Sequence, residues 1–179
     1  TLIDITKNVI NNLEDEFNQF KPNLVLVQGD TTSALASSIA SFYNSIPIGH
    51  IEAGLRTNNL FSPFPEEANR RLISQISNLH FAPTENSLKN LKSYGITENV
   101  FMTGNTVVDS LKFILKNKKF DNSNFYKLDK SKKIILATFH RRENWGENIE
   151  NFSLALKESL NKHPNLLLLL PLHKNTKVR

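Results

Sequence analysis

The chain has 179 residues, 39% of them hydrophobic, a size and composition that support one or two packed domains and argue against wholesale disorder. It has no cysteine, which excludes disulfides, thiolate metal sites and a cysteine nucleophile. The net charge of +5 would suit a nucleic-acid partner, but the lysine excess lies at Lys112, Lys116, Lys118, Lys119, Lys127, Lys130, Lys132 and Lys133, among Asn, Ser and Asp. That pattern reads as a solvated connection, and no nucleic-acid binding is expected.

In chain order, short apolar runs alternate with amphipathic stretches. The pattern predicts a helix over 2–20, a strand over 24–28, a helix over 32–43 and a strand over 46–51. Next come a helix over 65–77, a strand over 79–82, a helix over 85–94, a strand over 100–103 and a helix over 106–117. The last elements are a strand over 133–138, a helix over 148–163 and a strand over 166–170. Pro65 opens one helix and Gly95 follows another, as boundary residues should. Continuous Val/Ile/Leu strands are those of a parallel sheet with helices on both faces, so the fold class is α/β. The polar stretch 117–132 is long for a loop within one compact unit, and we read it as a linker between domains over 1–116 and 133–179. No apolar run is long enough to cross a bilayer, and residues 1–20 read as an amphipathic helix, not a signal peptide. A soluble, cytoplasmic protein without membrane association is the expectation.

Ligands of open parallel sheets bind beyond the carboxyl ends of the strands, and those ends are rich in ionisable groups here. The first strand runs through Gly29 to Asp30, Thr31, Thr32 and Ser33; Asp30 either caps the following helix or presents its carboxylate at the mouth of the sheet. His50 and Glu52 are two apart and would share a strand face. They make at most half a metal site, and a Glu52–Arg56 surface ion pair is the plain alternative. Glu66 and Glu67 follow Pro65 at a helix N-terminus, where acids stabilise the helix whether or not they do chemistry. His140, Arg141 and Arg142 follow a strand and suit a diphosphate, unless Arg142 simply pairs with Glu143. His173 and Lys174 follow the last strand. Together these residues describe three carboxylates on one unit and a cationic cluster on another, equipment for proton abstraction from a phosphorylated substrate.

The runs VQGDTTS, HIEAGLRT, SPFPEEANRRLIS, APTENSLKNL, TGNTVVDSL and TFHRREN resemble, in order, the signatures of non-hydrolysing UDP-N-acetylglucosamine 2-epimerases. The hydrolysing relatives do not usually combine HIEAGLRT, PFPEE-x-NR and HRREN. The resemblance implies two Rossmann-like domains of the glycosyltransferase-B type with substrate between them. It also implies reversible conversion of UDP-GlcNAc to UDP-ManNAc for cell-surface polysaccharides, through elimination of UDP, a 2-acetamidoglucal intermediate and re-addition. Carried over residue by residue, Asp30, Glu52, Glu66 and His140 match the family's essential groups, with His140 and Arg141 on the substrate. Glu67, Arg141 and His173 match contacts to a second UDP-GlcNAc that acts as activator. No metal and no redox cofactor are implied, in keeping with the missing GxGxxG fingerprint. A homodimer of the full-length chain is expected.

The family's first strand with its Gly-rich, Arg-containing loop, and its uridine-binding C-terminal residues, have no counterpart in these 179 residues. Thr176 stands where the family usually has proline. The chain is therefore expected to be truncated at both ends and, by itself, to lack appreciable turnover. Two other functions fit parts of the pattern: a glycosyltransferase of the same architecture, which would not need all three carboxylates, and an inactive nucleotide-sugar-binding fragment.

Overall fold

The computed structural model describes residues 1–57, 59–118, 128–139 and 146–172. It divides into two compact units, Thr1–Asn117 and Lys118–Arg179. The first unit contains α1 (Leu2–Phe20), β1 (Val25–Gln28), α2 (Thr32–Tyr43), β2 (Ile48–Ile51), α3 (Glu66–Ile76), β3 (Leu79–Ala82), α4 (Glu85–Ser93), β4 (Val100–Met102) and α5 (Thr106–Asn117). The second contains β5 (Lys133–Leu136), α6 (Glu147–Lys162) and β6 (Leu166–Leu169), with β5 and β6 paired in parallel. Every expected element is present, with strand ends one or two residues shorter in most cases. Pro65 stands just outside its helix as N-cap and Glu66 takes the first helical position. Among the described residues no helix is long and apolar enough to cross a membrane.

In the first unit the four strands are all parallel and lie in the order β1-β2-β3-β4. Each crossover is right-handed by the usual rule and steps in the same direction, so successive helices fall on the same side of the sheet. The packing agrees. Val27 and Ile48 from the sheet meet Ala34 of α2 and Ile73 of α3, with Val25, Leu35 and Ile76 around them. Ala53 and Ala82 meet Leu91 of α4, flanked by Leu88, Ile96 and Val100. By strand alternation and register, Val27, His50, His80 and Val100 form one row on this covered face. The opposite face carries Leu26, Phe81 and Phe101. Leu26 is 55% exposed and Phe101 47% exposed, while the Phe81 and Phe101 rings stack at 5.9 Å. The expectation of helices on both faces is therefore corrected for α2, α3 and α4, which share one.

Local chemistry explains the helix starts. Thr31 caps α2 by accepting the Ala34 N–H at 3.2 Å, and Thr84 caps α4 by accepting that of Ser87 at 3.2 Å. Serine is a modest helix former, yet α2 buries Ser38 and Ser41. Their hydroxyls donate to the carbonyls of Ala34 and Ser37, four residues back, both at 2.8 Å, so neither is an unsatisfied polar group.

Candidate active site

The carboxyl ends of β1 and β2 lie side by side, and each releases a carboxylate at once. After Gln28 the backbone turns at Gly29, whose φ is +72°, and delivers Asp30. After Ile51 it turns at Glu52 itself, with φ +65°, a conformation that side chains other than glycine seldom take. The two turns are tied together: Gly29 N–H donates to the Ile51 carbonyl at 2.9 Å. The Glu52 carboxylate lies over Gly29, where an added Cβ would be 3.5 Å from Oε2. Gln28 Nε2 donates to Glu52 Oε1 at 3.3 Å and to Thr106 Oγ1, at the start of α5, at 3.2 Å.

Helix α3 is pinned to the same corner. Asn69 Nδ2 donates to the Asp30 carbonyl at 2.8 Å, and Arg70 Nη2 meets Asp30 Oδ2 at 2.8 Å. This settles two alternatives. Thr31, not Asp30, caps α2, and Asp30 pairs with Arg70. Glu52 takes Gln28 as its partner, not Arg56. Arg56 instead donates to the Leu55 carbonyl at 2.7 Å and to Ser74 Oγ at 2.9 Å, and lies 4.9 Å from the centre of the Tyr94 ring.

Glu66 occupies the first turn of α3, half-buried, with no side-chain partner among the described residues. It is four residues before Arg70, hence on the same side of the helix. Glu67 is different. It has no exposed surface and is fully engaged: Thr57 N–H donates to Oε2 at 2.9 Å, Arg71 Nε to Oε1 at 2.6 Å, and Arg70 Nη1 lies 3.6 Å from Oε2. The hydrogen bond to Glu67 raises the Arg71 guanidinium pKa further. His140, Arg141 and His173 lie outside the described residues.

His50 does not share the Glu52 site. The left-handed turn at Glu52 ends the strand alternation that would have put the two on one face. His50 is wholly buried, and its Nε2 is 2.8 Å from the Gly29 carbonyl. Burial pulls the imidazole down from 6.5 to about 4; the Gly29 hydrogen bond opposes this, and His80, Arg56 and Arg70 reinforce it. The ring is therefore neutral, with Nε2–H donating to Gly29 and Nδ1 without a hydrogen-bond partner among the described residues. Its neighbour in register, His80, is lowered by burial too, against an opposing hydrogen bond with the Ser77 backbone. Among the described residues no group of three or more His, Asp or Glu is arranged to hold a metal ion.

This buried pair predicts acid lability. Folding depresses both histidine pKa values, so the unfolded chain binds more protons as pH falls below the ordinary histidine range. The contribution to stability is complete above about pH 6.5 and is lost as pH drops towards 4. His50 alone accounts for roughly 3 kcal/mol across that window. Urea unfolding of the chain at a series of pH values will show it, and His50→Gln, whose amide can still donate to Gly29, will flatten the slope. An identical pH slope in that variant would contradict the assignment.

Sequence reasoning named Asp30, Glu52, Glu66 and Glu67 but missed the residues that arrange them, Gln28, Asn69 and Arg70. All three lie within quoted signature runs, Gln28 in VQGDTTS and Asn69 and Arg70 in PFPEE-x-NR, but no role was read for them there. The arrangement places carboxyl groups at two neighbouring strand ends, with a third opening the adjacent helix. Such a corner is equipped to take and return protons.

Known proteins resemble this chain in sequence and in fold. The family model described as UDP-N-acetylglucosamine 2-epimerase matches residues 1–179. The chain is 50% identical over 186 residues to the UDP-N-acetylglucosamine 2-epimerase of Neisseria meningitidis serogroup A, covering all of this chain and 50% of that one. A crystal structure of UDP-GlcNAc 2-epimerase from Neisseria meningitidis bound to UDP-GlcNAc superposes with a TM-score of 0.94 at 49% identity, over 100% of this chain and 50% of that one. The S. aureus protein MnaA, in a co-structure with UDP, gives a TM-score of 0.91 at 45% identity, over 100% and 49%. The chain thus spans about half the length of the curated relatives it matches. Its two parallel units have the Rossmann-like, glycosyltransferase-B architecture of these structures. On the extent of the family match and on the fold, the chain belongs to the UDP-N-acetylglucosamine 2-epimerase family.

Proposed function

We propose that the protein to which this chain belongs interconverts UDP-GlcNAc and UDP-ManNAc, a cytoplasmic step that supplies cell-surface polysaccharide synthesis. The observation that carries this reading is the paired release of Asp30 and Glu52 from neighbouring strand ends, each carboxylate held by a side-chain donor. Epimerisation at C2 needs a proton removed from one face of the sugar and returned to the other, so more than one proton-handling group must border the ring. In the forward direction a base takes the C2 proton, the C1–O bond to UDP breaks, and a C1–C2 double bond forms. UDP then adds back at C1 while C2 is protonated on the opposite face. Asp30, Glu52, Glu66 and His140 are the groups assigned to this chemistry, with His140 and Arg141 at the diphosphate.

Support for the ligand comes from the relatives: the Neisseria meningitidis structure holds UDP-GlcNAc and the S. aureus one UDP. We assign Glu67, Arg141 and His173 to a second, activating UDP-GlcNAc, with the full-length chain acting as a homodimer. With no exposed surface, Glu67 acts there by fixing Arg71 and the Thr57 turn rather than by touching the ligand.

The test is incubation of the full-length protein with UDP-GlcNAc in deuterated water, read by NMR. The expected result is UDP-ManNAc carrying one deuteron at C2. Product that keeps its original C2 hydrogen would eliminate the proton-transfer route, and absence of any epimer would eliminate the function.

A further inference from the structure

The Asp30 carboxylate is held from one side only. Its Oδ2 is 2.8 Å from Arg70 Nη2, and among the described residues Oδ1 has no partner. Arg70 is itself placed with care. It sits in the second turn of α3, its side chain is only 10% exposed, and its other terminal nitrogen lies 3.6 Å from the fully buried Glu67. Among the described residues its buried Nε has no partner, so the planar group is oriented by the two carboxylates at its tip. Asn69, one residue earlier, fixes the Asp30 backbone at 2.8 Å, so the same helical turn sets both the carbonyl and the carboxylate of Asp30.

From this geometry we infer that Arg70 is the positioning residue of Asp30: it locks one carboxylate oxygen so that the other faces the sugar, and supplies the positive charge that lets Asp30 stand close to Glu52 and Glu66. The inference rests on the reading of Asp30 as part of the epimerase site. Charge arithmetic makes the second role necessary. Asp30 and Glu52 leave neighbouring strand ends and Glu66 opens the adjacent helix; like charges so placed repel one another, and a diphosphate-bearing substrate adds to that negative field. Glu67 is already matched by Arg71 and the Thr57 N–H, which leaves the Arg70 charge for Asp30. Because Glu67 keeps those two partners when Arg70 is removed, losing the guanidinium should affect the site more than the fold.

The experiment uses the full-length protein and three variants, Arg70→Ala, Arg70→Lys and Arg70→Met, assayed for UDP-GlcNAc epimerisation with melting temperatures measured alongside. For Arg70→Ala and Arg70→Met, kcat should fall about a hundredfold or more, as expected when a reacting group is misplaced, while KM changes by only a few-fold. Arg70→Lys, which keeps the charge but not the fork, should fall between these and the parent. Millimolar guanidinium should restore a measurable part of the Arg70→Ala rate, while sodium at equal ionic strength should not. A merely structural role would give a lower melting temperature without guanidinium rescue, and that result overturns the proposal. So does a parent-like kcat in Arg70→Met, or a loss confined to KM. If Arg70→Ala and Arg70→Met do not fold, the Arg70→Lys rate decides, and a parent-like value there overturns the proposal. An inactive parent would instead refute the epimerase reading itself, so the two failures are distinct.

Discussion

Glu52→Gln in the full-length protein is expected to lower kcat by on the order of 10²–10⁴-fold, the range associated with loss of a general acid or base, with little change in stability. The substitution keeps size and shape. Gln28 Nε2, which now donates to Glu52 Oε1 at 3.3 Å, can donate equally to the amide oxygen of the replacement. The left-handed backbone at this position, φ +65°, is a property of the turn and accepts glutamine as it accepts glutamate. What disappears is the ability to hold or release a proton at that spot. Steady-state kinetics and a thermal melt on the same preparation check both halves. A kcat within tenfold of the parent would remove Glu52 from the chemistry, and a large drop in melting temperature would mark it as a structural residue.

The second large effect belongs to Gly54. This glycine follows buried Ala53 and passes directly against the backbone of α4. A Cβ there would come within 2.3 Å of the Ser87 carbonyl oxygen, 2.8 Å of its carbon and 3.0 Å of Leu91 Cγ. Its φ of +89° adds a conformational cost for any other residue. The clash is with helix backbone, which cannot swing aside as a side-chain tip can. Gly54 also offers its carbonyl to Asn90 Nδ2 at 3.0 Å, so displacing the turn breaks a second contact with α4. Gly54→Ala should therefore cost on the order of 3–5 kcal/mol, combining backbone strain with overpacking. Gly95→Ala is the control: its φ is +80°, but among the described residues nothing lies within 4 Å of the added carbon. That variant should lose only about 1–2 kcal/mol, the left-handed cost alone. Equal losses in urea unfolding would show that the α4 contact does not decide the matter.

Much of the fold is legible in the chain because its cues are local. Runs such as Val25–Gln28 and Leu166–Leu169 are too short and too apolar to be surface helices, and Thr31 and Thr84 announce the helices they cap. The carboxylates of the candidate site are legible for the same reason, since each follows a strand or opens a helix. Their partners are not. Asp30 and Arg70 are forty residues apart, and the packing of α3 against α2 and β2 brings them together. His50 misleads in the opposite way. Strand alternation places it with Glu52, but the left-handed turn at Glu52 sends the two side chains to different surroundings. Coverage of the sheet also escapes a periodicity argument, because apolar runs look alike whether their second face meets helices of this segment or not.

The strand order has a consequence for how the first unit is made. Val25 pairs with Ile48, Gly49 with Leu79 and His80 with Val100, so each strand joins the one synthesised just before it. Closing each such loop costs little chain entropy, and no strand has to wait for a distant partner. As the polypeptide leaves the ribosome, every completed strand–helix step finds its docking edge already formed. The sheet can therefore grow one strand at a time from β1 towards β4, each addition burying the edge that its predecessor had left open.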